Sequence, residues 1–203
     1  MDDLLAMFQS GMHEFSARVH AIGEDQWGAA TPDDQWTVAQ LVEHVVDEHR
    51  WAAPLMHGQD LESAAKVVEG SRSLPVDGGV GANLAQAWDE AAIGSTEAFT
   101  APGALEREVE LSRGTTPVSS YLEEMIFDLV VHAWDLGRAI DYREALPDDL
   151  VSAVHAVVVP MGDLSAYGEM FRAPIDVPDD APAIDKLVGA TGRDPHWTAS
   201  PSD

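Results

Sequence analysis

The sequence predicts an all-α fold: a four-helix bundle with one crossover connection and a short mixed C-terminal extension. Apolar residues recur at steps of three and four in four long segments, and glycine and proline separate these segments. The chain has 203 residues, enough to bury one substantial core. We therefore expect a single domain in which residues 1–145 form the bundle and residues 146–203 pack on it.

The first helix is expected to run from Asp2 or Asp3 to Gly23. Acidic side chains favour a helix N-terminus, and glycine is favoured just after a C-terminus. Apolar residues at steps of three and four form one stripe along this helix: Leu5, Phe8, Met12, Phe15, Val19 and Ile22. One face of the helix is therefore predicted to lie in the core.

The second helix is expected to start at Thr37 and to end near Pro54 and Gly58. Thr37 is followed three residues later by Gln40, which is the spacing of a capping box. The buried stripe is predicted to comprise Val38, Leu41, Val42 and Val45. His44 lies within this apolar stretch, and a buried imidazole needs a hydrogen-bond partner or a metal.

Residues 58–80 are polar and rich in glycine, and we expect mostly loop there, with room for a short helix. A third helix is predicted over about residues 82–99, where aromatic and aliphatic residues recur at helical spacing. Residues 100–116 are expected to connect it to the next helix. Val109 and Leu111 in this connection are a weak signal for a strand.

The fourth helix has the strongest periodic pattern and is expected from Pro117 to Ile140, with Thr116 as its N-cap. Within it, Asp128 and His132 are four residues apart, so their side chains project from the same face one turn apart. Two groups at this spacing can bind one divalent ion. Such a pair is also common on acidic surfaces, where it forms only a local ion pair.

The C-terminal part is expected to contain a fifth helix and a mixed tail. Pro147 and the two aspartates after it start the helix, and Pro160 and Gly162 end it. Residues 173–182 contain several prolines and are expected to be extended. A short helix that ends at Gly192 follows them.

The charge balance restricts the classes of partner. Asp and Glu number 36 against 11 Lys and Arg, which leaves a formal net charge of −25. A field of this sign repels phosphates, so neither nucleic acid nor an anionic membrane is an expected partner. The same charge favours solubility.

The chain contains no cysteine, which excludes disulfides, Cys-ligated zinc and catalysis by a thiol of the protein itself. The N-terminal residues are acidic where a signal peptide is basic, and no apolar run approaches the ~20 residues that span a bilayer. A cytoplasmic location is therefore expected. Bundles often form symmetric dimers, so a homodimer is one of the assemblies to expect.

His44 and the pair formed by Asp128 and His132 are predicted to converge if the second and fourth helices are neighbours. The pair is embedded among apolar residues, which favours an interior position: Met125, Ile126, Leu129, Val130, Val131 and Trp134. Two imidazoles and one carboxylate suit zinc, nickel or iron, and three protein ligands leave positions open for water or substrate. Glu48 and Asp47, within about one turn of His44, are candidates for supporting contacts or for surface positions.

Other catalytic motifs are absent from the sequence. It contains no GxSxG element for a serine nucleophile and no phosphate loop of the GxxxxGK[ST] or GxGxxG type. His49 lies about 140° further round its helix than His44, so the two cannot share a face. The remaining histidines are expected to be structural or solvated: His13, His20, His57, His155 and His196.

Three stretches of the chain are informative together: WTVAQLVEHVVDEH, DLVVHAWDLGRAI and VPDDAPAIDKLVGATGRDPHW. In this order, and over nearly the whole chain, the sequence resembles the mycothiol-dependent maleylpyruvate isomerase N-terminal-type metal-binding family of the DinB-like superfamily. The resemblance implies a four-helix bundle that binds a divalent metal, usually zinc, through His44, Asp128 and His132. Asp128 stands where the founding isomerase has Glu, so monodentate ligation and an additional water are expected.

The resemblance further implies a thiol-dependent metalloenzyme, an S-transferase or an isomerase, that activates mycothiol as a nucleophile toward a small electrophilic substrate. Arg193 in the GRDPHW motif is the candidate catalytic residue, and Arg50 and Arg138 are candidates for binding the cofactor or an anionic substrate. The chain is short for the isomerase, which has a further C-terminal domain, and this argues against maleylpyruvate itself. Two alternatives stay open: a zinc–water hydrolase or lyase on the same fold, and a metal-binding protein without catalysis.

Overall fold

The structure, a computed structural model, describes residues 2–72, 79–158, 161–164 and 172–199. Within these ranges the chain forms seven α-helices and one antiparallel hairpin of two strands. In chain order the elements are α1 (Asp2–Val19), α2 (Val38–Met56), α3 (Leu61–Arg72), α4 (Gly79–Thr100), β1 (Glu108–Leu111), β2 (Gly114–Pro117), α5 (Val118–Ala139), α6 (Asp148–Val158) and α7 (Ala183–Ala190). The helices predicted as third, fourth and fifth are therefore α4, α5 and α6.

Helices α1, α2, α4 and α5 pack around one core, which confirms the predicted all-α four-helix bundle. The most extensive contacts join α2 to α4 and α1 to α5, and smaller ones join α2 to α5 and α1 to α4. Helices α1 and α2 are consecutive in the chain but lie at opposite corners of the bundle, so the segment between them crosses it. This arrangement makes α2 and α5 neighbours.

Leucines recur every seven residues along the buried side of α5. Leu122, Leu129 and Leu136 are fully buried, and the facing helices contribute fully buried residues such as Phe8 and Leu41. Each such side chain stabilises the fold by roughly 1.5–3 kcal/mol when it leaves water. In the described part of the chain, no helix combines the length and the apolarity that crossing a lipid bilayer requires.

The start of α2 agrees with the sequence, and its end lies between the two residues that were expected to close it. The backbone N–H of Thr37 donates to Gln40 Oε1 at 2.9 Å, and the N–H of Gln40 donates to Thr37 Oγ1 at 3.4 Å, so the capping box is confirmed. Helix α2 passes through Pro54 and ends at Met56, two residues before Gly58. A proline this near the end removes one helical hydrogen bond and leaves the buried last turn intact. Gly58 follows with φ of +77°.

Helix α3 corrects the expectation that residues 58–80 are mostly loop. The backbone N–H of Ser63 donates to Asp60 Oδ1 at 2.8 Å, which caps the start of the helix. Ala64 and Val68, one turn apart, are buried where α3 packs on α2. This buried stripe has only two members, so it gives a weak periodic signal in the sequence.

Three further helix ends differ from the predicted positions or lie beyond the described ranges. Helix α1 ends at Val19, and the chain reaches Gly23 through tighter turns with hydrogen bonds from residue i to residue i−3. Helix α4 begins at Gly79, three residues before its predicted start. The expected end of α6 at Pro160 lies outside the described residues, which include the helix up to Val158.

The predicted N-cap of the long helix α5 is wrong. Thr116 lies in β2, where it pairs with Val109 of β1, and the weak strand signal in this region thus corresponds to a real strand. The cap position of α5 is Pro117, without a side-chain cap. The N–H of Val118 donates instead to the carbonyl oxygen of Arg107 at 2.9 Å. The chain just before the hairpin therefore provides an acceptor for a backbone N–H that has no partner within the first turn of α5.

The C-terminal segment packs back on the bundle. Helix α6 contacts α5, α1 and α7. Helix α7 ends in a Schellman turn, in which the N–H of Arg193 donates to the Val188 oxygen and the N–H of Gly192 donates to the Gly189 oxygen, each at 3.0 Å. Gly192 has φ of +81°, a left-handed conformation that glycine adopts without strain. The turn directs the chain back toward the bundle at Arg193.

Candidate metal centre

The packing of α2 against α5 brings the three predicted ligands together. Asp128 Oδ1 lies 3.6 Å from His44 Nε2 and 3.3 Å from His132 Nε2. One ligand atom from each residue lies within 4.8 Å of the other two. A single metal ion bound at about 2.0–2.2 Å from each atom can bridge donors at this separation.

The environment of the Asp128 carboxylate favours the binding of a cation. Its side chain is half-buried, and its Oδ2 atom is buried with no hydrogen-bond partner among the described residues. Burial alone would raise the pKa of Asp128, but the charge of His132 and hydrogen bonds from His132 and His44 hold that pKa below its ordinary value. An ionised carboxylate with an unpaired oxygen beside two imidazoles is a donor set that fits zinc, nickel or iron.

His132 is held at its other ring nitrogen by Asp135. His132 Nδ1 lies 3.1 Å from Asp135 Oδ2, and the Asp135 side chain is fully buried. When Nδ1–H donates to this carboxylate, Nε2 faces Asp128. Burial lowers the pKa of His132, but the carboxylates of Asp128 and Asp135 outweigh it and raise that pKa to about 9. A cation bound at Nε2 would take the place of a proton.

An aromatic ring and a further carboxylate border the three residues. The Trp36 ring lies 4.5 Å from the His44 ring and 5.5 Å from the His132 ring, measured between centroids, and so covers both imidazoles. Glu48 is half-buried one turn after His44 on the same side of α2. Burial, followed by the charge of Asp128, raises the pKa of Glu48.

Arg193, the candidate catalytic residue, is buried against carboxylates. Its Nη2 atom lies 3.1 Å from Asp135 Oδ2 and 3.0 Å from Asp33 Oδ2. Among the described residues, these two aspartates are its ion-pair partners. The structure therefore places Arg193 behind His132, with Asp135 between them.

Arg50 and Arg138, the candidates for cofactor binding, also have partners within the chain. Arg50 Nη1 lies 3.4 Å from Asp47 Oδ1, and its Nη2 donates to the Ser71 carbonyl oxygen at 3.5 Å, near the end of α3. Arg138 Nε donates to the Trp197 carbonyl oxygen at 3.0 Å and so ties the C-terminal tail to α5. In these positions both side chains connect parts of the fold.

His49 belongs to the core and not to the group of three ligands. Its Nδ1 lies 2.9 Å from Ser95 Oγ, and the rings of Phe8 and Trp88 pack against it with centroids 6.2 and 5.2 Å away. Its Nε2 is buried without a hydrogen-bond partner in the described ranges. Burial lowers the pKa of His49 to about 4, so the ring is neutral at pH 7.

Comparison with known proteins identifies the family. Residues 8–137 match the family described as the mycothiol maleylpyruvate isomerase N-terminal domain. The chain belongs to this family. The predicted resemblance to it is thereby confirmed. Two curated relatives are each 30% identical to this chain over 201 residues. Both are uncharacterized proteins of Mycobacterium tuberculosis, from strains CDC 1551 / Oshkosh and ATCC 25618 / H37Rv. The match covers 95% of this chain and 98% of each relative.

Solved structures agree with the family at the level of the fold. The crystal structure of the mycothiol-dependent maleylpyruvate isomerase superposes with a TM-score of 0.61 at 19% identity, and a histidine-to-alanine mutant of that enzyme does so with 0.61 at 18%. Each match covers 89% of this chain and 78% of the other. The fold of this chain is therefore the DinB-like helix bundle that its sequence predicts.

Three side chains of the candidate centre were not predicted from the sequence. Asp135 lies three residues after His132 on α5, a spacing that could have indicated a carboxylate on the imidazole. Trp36 directly precedes the N-cap Thr37, a position that gives no indication of a contact with the metal ligands. Asp33 lies in the connection before α2, and nothing in its local sequence links it to Arg193.

Proposed function

We propose that this chain is a metal-dependent enzyme that uses an external thiol of the mycothiol type, as an S-transferase or an isomerase. The observation that supports it most is the group formed by His44, Asp128 and His132, whose ligand atoms lie within 4.8 Å of one another. Membership of the mycothiol maleylpyruvate isomerase N-terminal family supports mycothiol as the thiol. The sequence has no cysteine of its own, so the thiol would come from outside the chain.

Zinc is the proposed metal, and nickel and iron are alternatives that the same donors accept. Three protein ligands leave at least one coordination position for the thiol or for water. When bound there, a divalent metal lowers the pKa of a coordinated thiol and makes the thiolate available as a nucleophile.

The side chains around the ligands have distinct roles in this proposal. Trp36 covers the imidazoles of His44 and His132 and keeps water from that side. Glu48, half-buried on the same side of α2 as His44, is the proposed acceptor of the proton that the thiol releases. Asp128 contributes the negative charge that offsets the cation.

Cobalt substitution tests the proposal without knowledge of the electrophilic substrate. The protein is loaded with Co²⁺ and titrated with mycothiol, and we expect a near-ultraviolet band from thiolate-to-cobalt charge transfer. His132→Ala should lose both the bound cobalt and the band. His13→Ala, which changes an exposed histidine on α1, should keep both.

Each other outcome of this titration contradicts part of the proposal. Bound cobalt without a thiolate band would contradict thiol activation and would favour a metal–water hydrolase or lyase, or a protein without catalysis. Absence of cobalt binding in the wild type would contradict the metal centre itself.

A further inference from the structure

We propose that Asp135 is a positioning residue for the metal ligand His132, and that Arg193 holds Asp135 in place from the turn after α7. The inference rests on the proposed metal site. It adds a dependence of that site on a turn that lies 58 residues beyond Asp135 in the chain.

The first step is the contact between His132 and Asp135. His132 Nδ1 lies 3.1 Å from Asp135 Oδ2, while Nε2 of the same ring lies 3.3 Å from Asp128 Oδ1. A carboxylate on one ring nitrogen selects the tautomer with its proton there and leaves the lone pair of the other nitrogen for the metal. Asp135 thus orients the ligand without touching the metal position.

The second step is the need of Asp135 for a cation. Its side chain is fully buried, and a buried carboxylate is stable only when it is paired and hydrogen-bonded. Arg193 provides the pairing, because its Nε lies 3.3 Å from both Asp135 oxygens and its Nη2 lies 3.1 Å from Oδ2. Asp33 Oδ2 lies 3.0 Å from the same Nη2 atom, so the Arg193 guanidinium is paired with two carboxylates.

The third step is the turn that presents Arg193. The Schellman turn after α7 fixes the backbone of Gly192 and Arg193 through hydrogen bonds to the last turn of the helix. An added Cβ at Gly192 would lie 2.5 Å from Arg172 Cβ and 3.0 Å from the Ala173 oxygen, so the turn is tightly packed. Docking of this turn and orientation of His132 are therefore linked, and such a linkage acts in both directions.

The affinity for zinc measures the role of Asp135. After removal of bound metal, the dissociation constant of zinc is determined by competition with a chromophoric chelator. We expect Asp135→Asn, which keeps the shape of the side chain, to weaken zinc binding by about 10–100-fold. Glu123→Gln removes the same charge from an exposed position on α5 and should leave the affinity unchanged.

A second variant and a spectroscopic signature separate positioning from general stability. Arg193→Met should weaken zinc binding in the same direction, because Asp135 loses its cation and releases His132. In the zinc-bound wild type, nitrogen-15 NMR should show the His132 proton on Nδ1. Circular dichroism of the metal-free variants establishes that they are folded.

The reverse effect can be measured on the wild type alone. Zinc should slow amide hydrogen exchange in residues 188–193, and this protection should be absent from Asp135→Asn. A wild type that binds no zinc would overturn both this inference and the proposed function. Zinc binding of equal affinity in the wild type and Asp135→Asn, with no change in exchange, would overturn the inference alone.

Discussion

His132 Nε2 lies 3.3 Å from Asp128 Oδ1, on the next turn and the same face of α5. Such a pair by itself is an ordinary helical ion pair of small energetic value. Two further facts make it a candidate metal centre: His44 reaches the same carboxylate oxygen from α2, and the other oxygen of Asp128 is buried without a partner among the described residues.

Glu48→Gln tests the proposed proton acceptor. We expect the variant to bind as much cobalt as the wild type, because Glu48 is not one of the three ligands. The cobalt–thiolate band should form about 100-fold more slowly in stopped-flow measurements, since a positioned proton acceptor contributes on this order. Glu43→Gln, an exposed change on the same helix, is the control. An unchanged rate in Glu48→Gln would remove this role from the residue.

The buried ring of His49 should make stability depend on pH. Its pKa in the folded protein is about 4 against an ordinary value of 6.5, so the unfolded chain binds the proton first as the pH falls. The contribution of neutral His49 to the free energy of unfolding is fully present above pH 6.5 and is lost as the pH falls toward 4. The expected loss is about 3 kcal/mol at about 1.4 kcal/mol per pKa unit.

Urea unfolding of the wild type and of His49→Gln between these pH values measures this effect. Carboxylates contribute to both proteins, so the difference between the two curves isolates the histidine. We expect the free energy of unfolding of the wild type to fall more steeply with acid. Parallel curves would show that His49 is not kept neutral by burial.

Gly192→Ala should destabilise the protein more than an equivalent change elsewhere. Gly192 and Gly58 both have positive φ, so alanine is strained at each, but only at Gly192 would the new Cβ collide with neighbouring atoms. We expect a loss of about 1 kcal/mol for Gly58→Ala and of about 3 kcal/mol for Gly192→Ala. Thermal or urea unfolding measures both. Equal losses would contradict the tight packing of the turn after α7.

The sequence predicted correctly those parts of the fold that depend on residues close together in the chain. The capping box of Thr37 and Gln40 is such a case, because both partners lie within one turn. The error at Thr116 has the same origin: a Thr–Pro pair suits a helix start, but it also suits the end of a strand. Its pairing with Val109 across a hairpin decided between them. The continuation of α2 for two residues past Pro54 likewise depends on the burial of its last turn, which the local sequence does not reveal.

The residues of the candidate site that share a helix face could be predicted from their spacing in the sequence. The residues that come from distant segments of the chain could not. Asp128 and His132 are one turn apart, and His44 needed only the assumption that two helices are neighbours. The role of Asp135 depends on Arg193, which is brought to it by α7 and the turn that follows. No periodicity along α5 contains that information, because the partner belongs to another part of the chain.

The metal content of the purified protein tests the central claim most directly. Elemental analysis is performed on the wild type, on His44→Ala and on His13→Ala, all prepared without a metal-binding affinity tag. We expect about one zinc or nickel ion per chain in the wild type and in His13→Ala, and a loss of the metal in His44→Ala. A wild type that holds no divalent metal, even after incubation with zinc, would contradict the metal centre and the thiol chemistry proposed for it.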